Sequence, residues 1–303
     1  MVYSISSVLA VAKKHSFYDQ NVTYPPDLDA VENIVKQSAV DEKANELSSW
    51  PLLYKKSLYT TVERLINDTS PQNTYRRSVY AGVTGGGRGS KPLFFAADVH
   101  ENRRQRAEYG QLLASSGILS TGDWVVTMHS AGGLYRALDL TLEIVECAGA
   151  CALAAGNYMP MPDVLQLLIK YQANVIAGDS SQIVNLVNHL SELPQDQRDK
   201  IHLDKILYTS EVLTAAQRLH IRSSLAEMSL WNASTVLVTW VLPKASGLQT
   251  PTTLSADPVA KEVFERQPVL SVLFYWVDLV HFPDGIDKGH SAFFLIIYHT
   301  QWV

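Results

Sequence analysis

Gly82, Gly85, Gly86, Gly87 and Gly89 fall within eight residues, interleaved with Thr84, Arg88, Ser90 and Lys91. Glycines leave backbone N–H groups unobstructed. With two hydroxyls and two cations beside them, they make up the equipment for gripping a polyphosphate. A plain glycine-rich hairpin turn has the same composition, and both readings stand at this level. Two named phosphate loops fit poorly. A Walker loop needs Lys-Ser/Thr opening a helix, whereas here Ser90-Lys91 is reversed and Pro92 starts a strand. The dinucleotide fingerprint likewise requires its glycines to open a helix, which disfavours a hydride-transferring enzyme.

Other reactive side chains are scattered. His129 ends an apolar run and is followed by Ser130-Ala131-Gly132-Gly133, a tight turn. It is either a wall of a small-molecule pocket at a strand end, with Gly132 and Gly133, or a cap on a local turn. Glu211 precedes a capped helix, where a carboxylate is favoured by the helix dipole in any case. A serine-hydrolase elbow, Gly-x-Ser-x-Gly, is absent from the sequence. His281, His290 and His299 lie nine apart, unlike ligands on one helix, and no metal site is expected. Arg103, Arg104 and Arg106 share a helix with Glu101 and Glu108 and read as a solvated, salt-laced face. Cys147 and Cys151 read as reduced core residues, too few for a disulfide framework.

The elements that must hold these groups follow from periodicity. Residues 1–75 read as a helical segment, broken at Tyr24-Pro25-Pro26-Asp27 and again by Pro51 after a helical pattern over 28–47. From residue 76 to 242, short β-branched or aromatic runs alternate with longer helical patterns. The expected strands are 78–82, 92–96, 124–129, 151–155, 174–177, 206–209 and 235–240. The alternation predicts an α/β fold, a doubly wound, mostly parallel sheet with flanking helices. Ile183, Leu186, Val187 and Leu190 form one helical stripe, which should pack on that sheet. Asp98 with Glu101, and Thr214 with Gln217, carry the capping-box signature of helix starts. Residues 243–303 form a divergent tail rich in aromatics, with neither period. It reads as a hairpin closing a sheet edge or as a segment not original to the domain, such as a misjudged splice would add.

A strand, a Gly/Ser/Thr loop, Lys91-Pro92, a second strand, then Asp98 and a long helix resembles the adenylate-forming acyl-activating (AMP-dependent synthetase/ligase) family, in its phenylacetate-CoA ligase-like branch. That branch reads roughly Ser-Ser-Gly-Thr-Thr-Gly-Lys-Pro where this chain has Gly85-Gly86-Gly87-Arg88-Gly89-Ser90-Lys91-Pro92. An offset of one or two residues would bring Thr84 into a hydroxyl position. Downstream, Gly117 through Asp123, with four residues between its glycines, resembles the family's Gly-x-x-x-Gly-Asp motif, and Thr209-Ser210-Glu211 stands where the family has Gly-Gly-Glu. These matches cover residues 78–227.

The resemblance implies the N-terminal part of an adenylate-forming domain. It implies ATP-dependent activation of a carboxylic acid, aryl or acyl, as an acyl-adenylate, with possible transfer to coenzyme A or another thiol. Thr84, Gly85, Gly86, Gly87, Arg88, Gly89, Ser90, Lys91, Thr209, Ser210 and Glu211 would bind nucleotide, with Mg²⁺ on its phosphates. Lys91 would be catalytic, stabilising the departing pyrophosphate, and His129, Gly132 and Gly133 would line the acid site. The family's Tyr-Gly-x-Ser/Thr-Glu motif has no counterpart in 230–240, and its later ribose-binding Thr-Gly-Asp and catalytic lysine domain are missing too. A truncated or degenerate, non-catalytic protein that binds nucleotide or a partner is therefore the alternative expectation.

Charge and hydropathy bound the partners. The 303 residues carry 25 basic and 30 acidic side chains, a net charge of -5, so no basic excess suits nucleic acid. The apolar run 269–277 is broken by Asp278, far short of the roughly 20 residues a membrane span needs. The lysines of the first residues follow the apolar run instead of preceding it, unlike a secretory signal. Sequons at Asn21, Asn67 and Asn232 mean little without one. A cytoplasmic ligase, compatible with specialised-metabolite biosynthesis, is the expectation.

Overall fold

The computed structural model describes residues 5–38, 53–84, 92–209, 213–228, 230, 236–239 and 292–293. They fall into two compact units, one up to Gln105 with the strand at 292–293, the other from Arg106 to the strand at 236–239.

In the first unit, helix α1 (Ile5–Ala12) pairs with α2 (Leu28–Ser38), where the Ser38 hydroxyl donates to Ser7 Oγ at 3.1 Å. The Tyr24-to-Asp27 break separates the two, as the prolines require. Strand β1 (Leu53–Tyr54) leads into α3 (Lys55–Asn67), whose Leu58 and Val62 bury against Leu93. Asn73 closes that helix, its amide donating to the Leu65 and Asp68 carbonyls at 2.6 and 2.8 Å. Strands β2 (Tyr80–Val83) and β3 (Phe94–Ala97) follow, and both were expected. β2 and β3 pair antiparallel as a separate two-stranded ribbon, outside the parallel sheet. Residue patterning sets strand faces but not strand direction, so period alone left this pairing open.

Helix α4 (Val99–Ser115) begins beside Asp98, as the capping signature indicated, and the second unit takes it over from Arg106. Strand β4 (Trp124–Thr127) is followed by a small hairpin, β5 (Ala131–Gly132) and β6 (Tyr135–Arg136), and by α5 (Ala137–Cys147). Then come β7 (Cys151–Ala154), α6 (Met161–Tyr171), β8 (Val175–Asp179), α7 (Ser180–Glu192), the short α8 (Gln195–Arg198), β9 (Lys205–Thr209), α9 (Ala215–Glu227) and β10 (Val236–Thr239). Five strands form one all-parallel sheet in the order β10-β9-β8-β4-β7. Counted along the chain this is the order 2-1-3-4-5, so the winding reverses between β4 and β8.

Side chains alternate through the sheet with the strand period. Val126, Met128, Ile176, Ile206 and Tyr208 pack with α6, α7 and α9 on one face. Val125, Val175, Ala177 and Leu207 pack with α4 and α5 on the other. Helices therefore cover both faces, which is the doubly wound arrangement the alternation predicted. The stripe Ile183, Leu186, Val187 and Leu190 is fully buried in the first of these clusters. Thr214 and Gln217 form the expected capping box, with Gln217 N–H donating to Thr214 Oγ1 at 3.2 Å and Gln217 Oε1 accepting from Thr214 N–H at 2.9 Å.

Two side-chain expectations are corrected by the packing of α4 on α5. Arg106 is not on a solvated face but fully buried, paired with Glu143 at 2.6 Å and Asp139 at 2.9 Å. Gly110 makes the close approach possible, since a Cβ there would sit 2.6 Å from Cys147 Cβ. Cys147 is exposed and Cys151 half-buried, so neither is a core residue. Of the tail, the described pair β11 (Ala292–Phe293) joins β1 antiparallel in the first unit instead of closing the parallel sheet. Among the described residues no helix is long and apolar enough to cross a membrane.

Candidate functional site

In an open α/β sheet, ligands bind outside the carboxyl ends of the strands, where the winding reverses. That place here is the end of β4 beside the end of β8. Thr127 closes β4, His129 lies two residues on, Asp179 closes β8, and Thr209 closes the adjacent β9 in register with Asp179.

His129 is 1% exposed, and both ring nitrogens are engaged: Nδ1 with Thr127 Oγ1 at 3.0 Å, Nε2 with Thr209 Oγ1 at 2.6 Å. Burial pushes its pKa down to about 4, against a smaller upward pull from the Asp179 charge. The ring is therefore neutral at neutral pH, with one donor and one acceptor to share between two hydroxyls.

Local sequence explains how Asp179 is held. Gly178 stands where a Cβ would meet Met128 Cε and Gln182 Oε1, each at 3.0 Å. The space it leaves admits Gln182, which donates to the Met128 carbonyl at 2.7 Å and accepts from Asp179 N–H at 2.8 Å. Asp179 and Gln182 form a capping box at the start of α7. The Asp-Ser-Ser-Gln signature was present in the sequence but not singled out. Asp179 Oδ1 is buried and has no hydrogen-bond partner among the described residues.

The hairpin after His129 supplies a rim. Gly132 and Gly133 have φ of 85° and 57°, and Leu134 follows at 69°, a left-handed conformation that costs a leucine about 1 kcal/mol or more. Asn157, after β7, ties this hairpin down by accepting from Ala131 N–H at 3.3 Å.

The residues singled out from sequence are distributed as follows. Thr209 and His129, assigned to different ligands, are brought into direct contact. Gly132 ends β5 and Gly133 opens the turn of the hairpin that follows. Thr84 belongs to the first unit, where its N–H donates to the Leu93 carbonyl at 2.9 Å and its hydroxyl accepts from Leu93 N–H at 3.2 Å. Gly85, Gly86, Gly87, Arg88, Gly89, Ser90, Lys91, Ser210 and Glu211 lie outside the described residues. No grouping of three or more His, Cys, Asp or Glu side chains suited to a metal occurs among the described residues.

At the opposite, amino-terminal edge of the sheet, the Gly117-to-Asp123 motif has a mechanical explanation. Gly117 turns the chain out of α4 at φ 71° and Gly122 turns it into β4 at φ 105°. Asp123 then accepts from Lys205 Nζ at 2.6 Å, from Ser120 N–H at 2.7 Å and from the Asn174 amide at 2.9 Å. Burial raises its pKa, but these partners overcome that and hold the carboxyl below its ordinary range.

No protein-family model and no curated protein matches the chain. Among solved structures, the fold is shared with part of 2-hydroxyisobutyryl-CoA ligase. The structure of 2-hydroxyisobutyryl-CoA ligase with 2-HIB-AMP and CoA in its thioesterification state superposes with a TM-score of 0.53 at 14% identity, over 79% of this chain and 48% of that one. The same enzyme in its postadenylation state with R3-HIB-AMP gives 0.53 at 15% identity, over 82% and 48%. With 2-HIB-AMP in that state it gives 0.52 at 16%, over 74% and 45%. The chain thus has the fold of part of such a ligase and spans somewhat under half the length of these structures.

Proposed function

We propose that the protein takes part in ATP-dependent activation of a small carboxylic acid as an acyl-adenylate, with coenzyme A or another thiol as the possible acceptor. The observation that carries this reading is the cluster of Thr127, His129, Asp179 and Thr209 at the switch point of a sheet whose fold is shared with 2-hydroxyisobutyryl-CoA ligase. The motif order, Lys91-Pro92, Gly122-Asp123 and Thr209-Ser210-Glu211, supports the phenylacetate-CoA ligase-like branch.

In this reaction the acid's carboxylate attacks the α-phosphate of ATP, forming the acyl–phosphate bond as the bond to pyrophosphate breaks. Lys91 and the glycine loop, residues 85–91, would stabilise the charge on the departing pyrophosphate. Mg²⁺ would enter with the nucleotide, as part of the substrate. Thr209, Ser210 and Glu211 would hold the nucleotide at the end of β9, and Gly132 and Gly133 would border the acid. A binding-only protein is the second reading, favoured by the sequence at 230–240, which has no counterpart of the family's Tyr-Gly-x-Ser/Thr-Glu motif.

Carboxylate-dependent ATP–pyrophosphate exchange, run with aryl, fatty and amino acids, tests the proposal. Exchange that is lost in a folded Lys91→Ala variant supports activation. If folded wild-type protein binds ATP but exchanges with none of the acids, the binding-only reading takes its place.

A further inference from the structure

We infer that Leu134 and Tyr158 determine which acid is taken, as an apolar, uncharged rim that admits acids with an alkyl or aryl body and turns away those carrying a second charge. This deepens the activation proposed above and rests on it.

Both residues stand on segments that leave the carboxyl ends of neighbouring strands. Thr127 of β4 is in register with Ala154 of β7. The Thr127 carbonyl then accepts from Ala155 N–H and Gly156 N–H, each at 3.0 Å, so the loop after β7 starts fixed on the end of β4. Asn157 in that loop accepts from Ala131 N–H at 3.3 Å, and Leu138 N–H donates to the Ser130 carbonyl at 3.0 Å. Leu134, in the turn of the hairpin, and Tyr158, next to Asn157, are thus carried on two segments tied to each other beside the switch point.

Their exposure is what sets them apart. Leu134 is 64% exposed and Tyr158 84%. At the amino edge, by contrast, Trp124 and Tyr171 stack with ring centroids 6.5 Å apart and cover each other in part. Leu134 carries a second cost in its left-handed backbone at φ 69°, a conformation glycine takes without strain and Gly133 before it already takes. Strained in its backbone and apolar in water, it weakens the free protein on both counts. An apolar ligand group laid over the side chain would offset them, which is the usual meaning of strain kept at a ligand edge.

The chemistry of the two segments sets the ligand class. From Thr127 to Tyr135, and from Cys151 to Pro162, the sequence holds no Asp, Glu, Lys or Arg. The charges that flank them are Arg136, paired with Asp139 at 2.9 Å, and Asp163 in the first turn of α6. A second carboxylate or an ammonium group on the acid would give up water here without an opposite charge in return, which is costly. Each methylene buried against leucine or tyrosine is instead worth about fourfold in binding.

Matched acids in the ATP–pyrophosphate exchange assay test this. Wild-type protein should favour hexanoate over butyrate about tenfold in kcat/KM, for its two extra methylenes. It should favour hexanoate about a hundredfold over adipate, which has the same chain length and a second carboxylate. Leu134→Asn, a residue that tolerates the left-handed backbone, should raise KM for hexanoate about tenfold and leave KM for ATP unchanged. Tyr158→Ser should act in the same direction, and Tyr158→Arg should narrow the hexanoate-to-adipate ratio. Leu134→Gly should raise the melting temperature by a few degrees while weakening hexanoate, a gain in stability at the expense of specificity that a purely structural leucine would not give. Adipate accepted as well as hexanoate by wild-type protein would overturn the inference and leave activation standing. So would an unchanged hexanoate KM and acid ranking in folded Leu134→Asn and Tyr158→Ser; if those variants also lost a dimer in sedimentation, the patch would belong to self-association. Exchange with no acid at all would sink the activation reading, and the inference with it.

Discussion

The two edges of the parallel sheet treat their buried polar groups in opposite ways. At the amino edge, Asp123 is enclosed by a lysine, an asparagine, a serine hydroxyl and a backbone N–H, and Asn174 donates in addition to Asp204 at 2.9 Å. At the carboxyl edge, His129 is held neutral between two threonines, and one oxygen of Asp179 is buried without a partner among the described residues. Burying a charge is tolerable when it is paired, and leaving a polar atom unpaired costs free energy that packing elsewhere must offset. The amino edge is thus a structural clamp, while the carboxyl edge retains polar capacity where α/β sheets bind ligands.

The comparison breaks most directly at the clamp. Lys205→Met strands the buried Asp123 carboxylate and should destabilise the fold by about 4 kcal/mol in urea titrations. A loss below about 1 kcal/mol would mean that Asn174 and Ser120 suffice and that the ion pair is incidental.

Acid should then separate the two edges. The folded pKa of His129, about 4, lies below its ordinary 6.5, so the unfolded chain takes up the proton first. The associated stability is fully present above pH 6.5 and is lost as pH falls toward 4, up to about 3 kcal/mol. Asp123, also lowered, keeps its contribution above its ordinary pKa of 3.8 and loses it only below that, as pH falls through the folded value. Stability measured from pH 7 to 3 should therefore fall first on account of the carboxyl edge, and His129→Gln should flatten the pH 6.5-to-4 part alone.

Smaller changes sharpen the picture at the carboxyl edge. Gly178→Ala should cost about 1 kcal/mol, because Gln182 and the Met128 methyl can each give way by a few tenths of an ångström. A cost several times larger, read from thermal melts, would mean that the Gln182 position is rigid. Asp179→Asn removes the charge that pulls the His129 pKa upward, so the NMR titration of His129 should move further down while stability changes by less than about 1 kcal/mol. An upward move would contradict the assigned sign of that interaction.

Much of the fold was legible in the sequence, for local reasons. Val125, Val126, Val175 and Ile176 mark buried parallel strands because such strands are apolar on both faces. The stripe from Ile183 to Leu190 and the Thr214–Gln217 box are likewise patterns within one or two turns. Asp179–Gln182 obeys the same rule and could have been read. Arg106 could not: its partners lie 33 and 37 residues away, and nothing near it distinguishes a buried arginine from the exposed pattern of its neighbours. The direction of the β2–β3 pairing stayed open for a similar reason, since alternation is blind to direction.

For the candidate site, the sequence by itself determined which side chains end up at strand ends, because strand boundaries follow from composition over a few residues. It placed His129 at the end of one strand and Thr209 at the end of another. Only the tertiary structure decided that these two, 80 residues apart, meet at 2.6 Å, and that Lys205 closes on Asp123 from 82 residues away. Strand order sets such meetings. It is fixed by how helices cover both faces of the sheet, a balance of packing over the whole unit that no local run of residues encodes.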